Sequence, residues 1–488
     1  MIPDPTIEMG ELLPASPTSK RVTGDTQFLF QFYKPCIQFY EPSAQTTISM
    51  AKDKLRQSLI AALHVCPLLF GRFKIHKDQS ISLEYDPQDS NPPTLEFQDI
   101  SATYAEFKEN SFAYGLAKKY HIDKPIPDGI ISESTSKPML MIKVSYLADG
   151  GVAIFSMSNH VAFDGNAIFS FLAHWARCNR VLALQQVGEK MVLPPELQVY
   201  STAVVTNTDN VPKHGPVEIS VDARKSPAEI GTMLHKKLPA NEIRAHVFSI
   251  SVSNLNRLSE TVAKSGILGE NEWVSSNNVL AAFVSQCVAR ASMDAQVYGA
   301  GDWTVFQSLD MRRPLQLPLR GLGSPIILAE CHATFSEIAD PSKFPIIAKR
   351  IRQSVNKYTG EYLQDAMDWM SASYRNLARS GVSEPWRHFW FNSLNTNKRA
   401  VGLSCMNRIP VYDADFGAGR PTMARSYNPR INYIIVFPGP PTSATRYGSE
   451  QPDYDELHLY TTLEAKAMDA LLSDAMWNEA CTLLSKEF

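Results

Sequence analysis

No stretch of this 488-residue chain stays apolar for the roughly 18 residues that spanning a bilayer requires, so a helical membrane span is not expected. Basic runs are missing too. Lysine and arginine total 47 against 50 aspartates and glutamates, a formal net charge of −3, which argues against nucleic acid or an anionic membrane as partner. The start, Met1-Ile2-Pro3-Asp4-Pro5, has no basic segment ahead of an apolar one, so no secretory leader is expected. The end, Ser485-Lys486-Glu487-Phe488, carries neither a peroxisomal nor an ER-retention address. Cys36, Cys66, Cys178, Cys287, Cys331, Cys405 and Cys481 form no Cys-x-x-Cys pair, which excludes the common zinc and thioredoxin-like patterns. They are expected as buried, reduced thiols in a cytoplasmic protein. A Gly-x-Ser-x-Gly elbow, a P-loop and His-Glu-x-x-His are all absent, and Gly417-Ala418-Gly419 lacks the third glycine of a dinucleotide fingerprint. No metal and no permanently bound cofactor are therefore expected.

What the chain does have is a globular composition, 44% hydrophobic and 20% charged, at a length that suggests two large lobes. Residues 51–65 carry Leu55, Leu59, Ile60 and Leu63 at helical spacing, and Pro67 to Phe73 breaks that helix into an extended run. Met139–Leu147 and Val152–Ser158 read as a hairpin around Asp149-Gly150-Gly151. Helices are expected over Val279–Arg290, Ile346–Tyr358 and Tyr362–Ala378, and strands over Trp303–Leu309, Ile431–Phe437 and Leu457–Leu463. Thr461 with Glu464 reads as a capping box for a last helix running to about Leu484. Residues 201–239 are polar and rich in proline, glycine and asparagine, and are expected to link an N-terminal domain, 1–200, to a C-terminal domain, 240–488.

The most informative segment is Ser158-Asn159-His160-Val161-Ala162-Phe163-Asp164-Gly165. Among eleven histidines, His160 alone has aspartate four residues on. A buried-looking strand precedes it. After it the period changes from two to 3.6, with Ile168, Phe169, Phe171, Leu172, Trp175 and Ala176 on one face. A histidine at such a junction suits a neutral-pH general base for a hydroxyl or amine. The competing reading is a satisfied core histidine. For Asp164 the favoured reading is structural, as an N-cap or an ion-pair partner. Far downstream, Val411-Tyr412-Asp413-Ala414-Asp415-Phe416-Gly417-Ala418-Gly419-Arg420-Pro421 reads as a fixed loop.

These two segments together resemble the BAHD acyltransferases, which carry His-x-x-x-Asp-Gly mid-chain and Asp-Phe-Gly-Trp-Gly near the C-terminus. Pro67 to Phe73, Lys137 to Trp175, Ser308 to Pro314 and Gly321-Leu322-Gly323-Ser324 fit the family's other blocks in order, so the resemblance runs from about Leu13 to about Leu471. It implies an α/β fold of two chloramphenicol-acetyltransferase-like domains, with mixed sheets, flanking helices and a channel between the halves. It further implies a monomer that uses acyl-CoA as co-substrate and passes the acyl group, acetyl being expected, to a hydrophobic alcohol or, less favoured, an amine. His160 would be the base. Asp164 would turn away from substrate and pair with Arg312, while Gly165, Asp415 and Gly417 would be structural.

The sequence departs from the family at several places. Ala418 replaces the loop tryptophan and Arg420 its lysine, and Ser404-Cys405-Met406 stands where plant members often carry Thr-Ser-Trp. Ser404 keeps a hydroxyl for an oxyanion, or merely bonds to backbone, and Met406 removes an aromatic wall. The pattern leans toward the fungal branch that resembles trichothecene 3-O-acetyltransferases, with a bulky alicyclic alcohol as acceptor. Two alternatives remain. One is a condensation-type enzyme using a carrier-bound thioester, against which Asn159 replaces that group's first histidine. The other is a catalytically silent homologue that binds a hydrophobic metabolite.

Overall fold

The computed structural model describes residues 18–21, 33–77, 81–124, 137–184, 215–216, 218–234, 239–297, 301–319, 321–383, 385–395, 399–426, 430–442 and 454–487. Two mixed sheets organise them. The first has five strands in the order Met423–Ser426, Tyr33–Tyr40, Val152–Asn159, Leu140–Tyr146, Thr94–Asp99. The second has seven, in the order Ile326–Thr334, Asp302–Asp310, Ala400–Cys405, Tyr433–Pro438, Glu456–Glu464, Ile243–Ser251, Cys481–Lys486.

The central strand of the first sheet, Val152–Asn159, is buried at every position, which is why its apolar run hardly alternates. The expected hairpin joins it to Leu140–Tyr146, in register from Leu140 opposite Ser158 to Tyr146 opposite Val152. Gly150 takes φ +90° at the turn, a conformation that favours glycine. The helix Gly165–Ala183 packs its apolar face on the helix Lys52–His64, and Trp175 donates its indole N–H to Ser58 Oγ at 3.0 Å. In the second half, the helix Ser276–Asp294 is apolar almost all round, and it is correspondingly buried along most of its length. All seven cysteines are unpaired thiols, six of them buried and Cys405 partly so. No helix of the described residues is long and apolar enough to cross a membrane.

One expectation is corrected, and two others meet structure that the sequence did not show. The last helix stops early: Ala465–Ser473 and Ala475–Ala480 are separate helices, and Cys481–Lys486 is a strand paired antiparallel to Ile243–Ser251. Asp474 makes the break. Its carboxylate accepts from Trp477 N at 2.8 Å to start the second helix and holds Arg290 at 2.8 Å. Thr461 lies inside a strand, and Glu464 is the N-cap of the first of these helices with no side-chain cap bond. Second, the stretch expected as a polar linker is partly built. Residues 201–214 lie outside the described residues, but Ile219–Val221 pairs with Phe389–Phe391, and Pro227–Leu234 is a helix. Glu218 anchors it, buried and accepting from Tyr358 at 2.7 Å and Tyr362 at 2.6 Å.

Third, the expected boundary is crossed. Met423–Ser426, from the C-terminal half, forms the edge of the first sheet against Tyr33–Tyr40. Arg425 on that strand is 1% exposed. It donates to Tyr460 Oη at 3.0 Å, to Ser111 O at 2.7 Å and to Phe112 O at 3.3 Å, and its Nη1 lies 3.0 Å from His458 Nδ1. One guanidinium thus ties the two sheets together. Arg425→Ala should lower the free energy of unfolding by roughly 3 kcal/mol, measured by denaturant titration, because it strands several buried acceptors; an unchanged midpoint would show the tie to be inert.

Candidate functional site

The strand Val152–Asn159 ends one residue before His160, and the turn 160–163 carries the chain into the helix that starts at Gly165. Asn159 Oδ1 accepts from Val161 N at 2.9 Å, and Phe163 N returns to Asn159 O at 3.0 Å, which fixes the turn. A segment of the C-terminal half crosses it. Gly323 N donates to Ala162 O at 2.7 Å, and Phe163 and Gly323 form a parallel bridge. The next residue, Ser324, is fully buried and places its Oγ 3.0 Å from His160 Nδ1. His160 also bonds to its own backbone. A proton on Nδ1 satisfies both contacts and leaves Nε2 as the basic nitrogen, a tautomer assigned from the hydrogen bonds. Burial, with the Lys34 charge beside it, lowers the imidazole pKa to about 3, so the ring is neutral at physiological pH.

Asp164 faces the other way. It caps the helix, accepting from Ala167 N at 2.8 Å, and its carboxylate is gripped by Arg312, with Nη1 2.5 Å from Oδ2 and Nη2 3.2 Å from Oδ1. Arg312 is 1% exposed and also reaches Asp310 Oδ1 at 3.1 Å and Gly323 O at 3.1 Å. Burial pushes the Asp164 carboxyl up against the opposing pull of Arg312, and for Arg312 the neighbouring Asp164 and Asp310 outweigh burial and raise the guanidinium. Gly165 has a steric reason. A Cβ there would stand 3.2 Å from Met406 Sδ and Ile409 Cδ1, so Met406 packs on the first residue of the helix.

Residues of three strands meet around Tyr433, close to Lys34. Tyr433 Oη lies 2.8 Å from Ser308 Oγ and bonds to the Ser404 side chain as well. Its ring stacks on Phe306, centroids 5.7 Å apart at 19°. Gly402 makes room for that stack, since a Cβ there would fall 2.1 Å from the Phe306 ring. The Lys34 ammonium sits 6.0 Å from the Tyr433 ring centroid. His160, Asp164, Gly165, Arg312 and Met406 are thus brought together, and Ser404 joins them through Tyr433 and Lys34.

Asp415 and Gly417 are not among them. Their loop docks on the far end of the same helix, roughly 20 Å along it from Gly165. Asp415 Oδ1 accepts from Gly417 N at 2.8 Å and Gly419 N at 3.0 Å, and Arg180 donates to its backbone carbonyl. Phe416 is buried edge-on between Trp175 and Tyr40, centroids 4.8 and 5.9 Å away. Gly417 takes φ +98°. This loop leads the chain into the strand Met423–Ser426.

Tyr433 and Lys34 were not singled out from sequence, and Ser308 and Ser324 entered there only as members of longer blocks. One signal was available for Lys34, as the only charged residue in its strand.

A family model described as Transferase family matches residues 12–476. The chain belongs to this family, the BAHD acyltransferases. Among its relatives, a hydroxycinnamoyl-CoA:piscidic acid hydroxycinnamoyltransferase of Actaea racemosa is 21% identical, covering 83% of this chain and 86% of its own. A shikimate O-hydroxycinnamoyltransferase of Nicotiana tabacum is 23% identical, covering 80% and 82%. The solved structure of F. graminearum TRI101 with coenzyme A and T-2 mycotoxin superposes with a TM-score of 0.75 at 15% identity, over 96% of this chain and all of that one. Vinorine synthase superposes at 0.59 with 18% identity, over 94% and 96%. The two-domain, chloramphenicol-acetyltransferase-like fold is therefore that of the BAHD enzymes. The chain is an acyltransferase with acyl-CoA as co-substrate, and the family needs no permanently bound cofactor. Among the described residues no cluster of metal-ligating side chains occurs.

Breaking the buried pair leaves an uncompensated charge. Asp164→Asn should lower unfolding free energy by roughly 3–5 kcal/mol in denaturant titration, with activity falling alongside. Lost activity at unchanged stability would instead move Asp164 into the chemistry.

Proposed function

We propose that this BAHD enzyme transfers an acyl group, acetyl in the simplest case, from acyl-CoA to a hydroxyl of a secondary metabolite, with His160 as general base. The observation that carries this is the imidazole itself, neutral, with Nδ1 fixed by a buried serine of the opposite half and Nε2 left basic. Nε2 takes the proton of the acceptor hydroxyl as its oxygen bonds to the thioester carbonyl carbon. The carbonyl electrons move onto oxygen. When they return, the C–S bond breaks, and the leaving thiolate takes the proton from the imidazolium. No acyl-enzyme forms. A base at pKa 3 is weak in the resting protein, and the oxyanion that develops beside the ring is what favours the imidazolium. The hydroxyls of Ser404, Ser308 and Tyr433 are the donors available for that oxyanion.

Met406 in place of an aromatic wall, and the likeness to a protein solved with T-2 mycotoxin, favour a bulky alicyclic alcohol as acceptor. The same reading has the protein act as a monomer in the cytoplasm, on small molecules alone.

His160→Ala should lose turnover by a factor of about 10²–10⁴ while keeping its melting temperature, in a thiol-release assay with acetyl-CoA and a panel of terpenoid, alkaloid and phenolic alcohols. Near-normal turnover would remove His160 from the role. Ser324→Ala should cost about tenfold in kcat, because the tautomer loses a partner. Protonated imidazole cannot accept the acceptor's proton, and its lowered pKa defers protonation far below the usual 6.5. The pH profile of kcat/KM should therefore stay flat from neutrality through about pH 5; an acid limb centred near 6.5 would contradict this assignment.

A further inference from the structure

We propose that His458 is a proton-operated latch on the seam between the two sheets, closed while its imidazole is neutral and released when the ring takes a proton.

The latch is a chain of hydrogen bonds with one possible direction. His458 lies on the strand Glu456–Glu464 of the second sheet, and Arg425 on the edge strand of the first. Both side chains are fully buried. A guanidinium has donors and no acceptor, so His458 Nδ1, 3.0 Å from Arg425 Nη1, receives the bond through its lone pair. The ring proton is then on Nε2, which donates to Glu456 Oε1 at 2.8 Å. The Ser249 side chain bonds to the same carboxylate. Only the neutral ring with its proton on Nε2 satisfies both neighbours.

A second proton has no acceptor. It would stand on Nδ1, facing a donor of Arg425, and would set two cations against each other in a seam closed to water. The groups around the ring do not offset this. Its own strand brings Glu456 and Tyr460, and the first sheet brings Arg425. The flanking strands place Phe437 and Ser249 opposite it. Tyr460, and Tyr412 bonded to Pro438 O beside Phe437, are phenols that burial keeps protonated. Glu487, just past the last strand, is engaged by Tyr114 N and Ser485 Oγ. Glu456 alone favours the imidazolium. Burial is the larger influence and Arg425 adds to it, which holds His458 below the ordinary histidine range. Below the ordinary value of about 6.5, the unfolded chain therefore binds a proton here that the folded chain refuses. Stability from the latch is full above that pH and is lost as the pH falls from there toward the lowered value.

Urea titration of the full chain at about pH 7.5 and 5.5 tests this, with His458→Gln alongside. The introduced amide can accept from Arg425 and donate to Glu456 but does not titrate. Between the two pH values the unfolding equilibrium constant of the wild type should rise about tenfold more than that of the variant. His160, His174 and His246 are also held low, act in both proteins and cancel. Should His458→Gln fail to fold, His458→Asn takes its place, its amide oxygen standing in for Nδ1. The same pair made on an Arg425→Met background separates a latch from a merely buried histidine: without the guanidinium the difference should shrink at least threefold. Equal rises in wild type and variant, or a difference that Arg425→Met leaves untouched, overturns the latch.

Discussion

The buried ion pair of Asp164 and Arg312 is the constraint on which the site depends. It joins the first residue ahead of one helix to a segment that follows the strand Asp302–Asp310, far away in sequence. Taking both charges out of water costs several kcal/mol for each ion. The arrangement offsets this with two contacts between the charges and further bonds to Ala167 N, Asp310 and Gly323 O. What it secures is geometry. The same segment that carries Arg312 continues to Gly323 and Ser324, so fixing the arginine also fixes the hydroxyl that meets His160. The aspartate of the motif thus acts on the histidine through the other half of the molecule, not through the four residues between them.

The candidate site is accordingly divided between the two halves of the chain. His160 and Lys34 come from the N-terminal half, while Ser324 and Tyr433 with its two serine partners come from the C-terminal half. The charge distribution is as important as the contacts. Burial, with the Lys34 charge beside it, keeps the imidazole unprotonated at rest.

The strand, turn and helix around His160 were legible because their period changes from two to 3.6 within a few residues, and the Arg312 partnership followed from the order of the blocks. Other features left no such trace. Cys481–Lys486 continues an apolar pattern that a helix and a strand share at that length, and only pairing with Ile243–Ser251 decides between them. Ser324 is an ordinary serine until the chain folds back on the turn. Asp415 and Gly417 are conspicuous in sequence, yet they brace the distant end of the helix, because a rigid loop is as distinctive as a reactive one. Lys34 was visible as the one charge in its strand, but Tyr433, whose ring it faces, arrives from nearly four hundred residues away.

The crossing strand Met423–Ser426 has a consequence for how the protein is made. Until it emerges from the ribosome, Tyr33–Tyr40 is an open edge carrying unpaired peptide groups, a template for association with other chains. Pro35, which has no N–H to offer, and the neighbouring Lys34 charge are residues that discourage such pairing. The strand that bears Lys34 therefore protects itself during synthesis, and the sheet is finished only when most of the polypeptide is in hand.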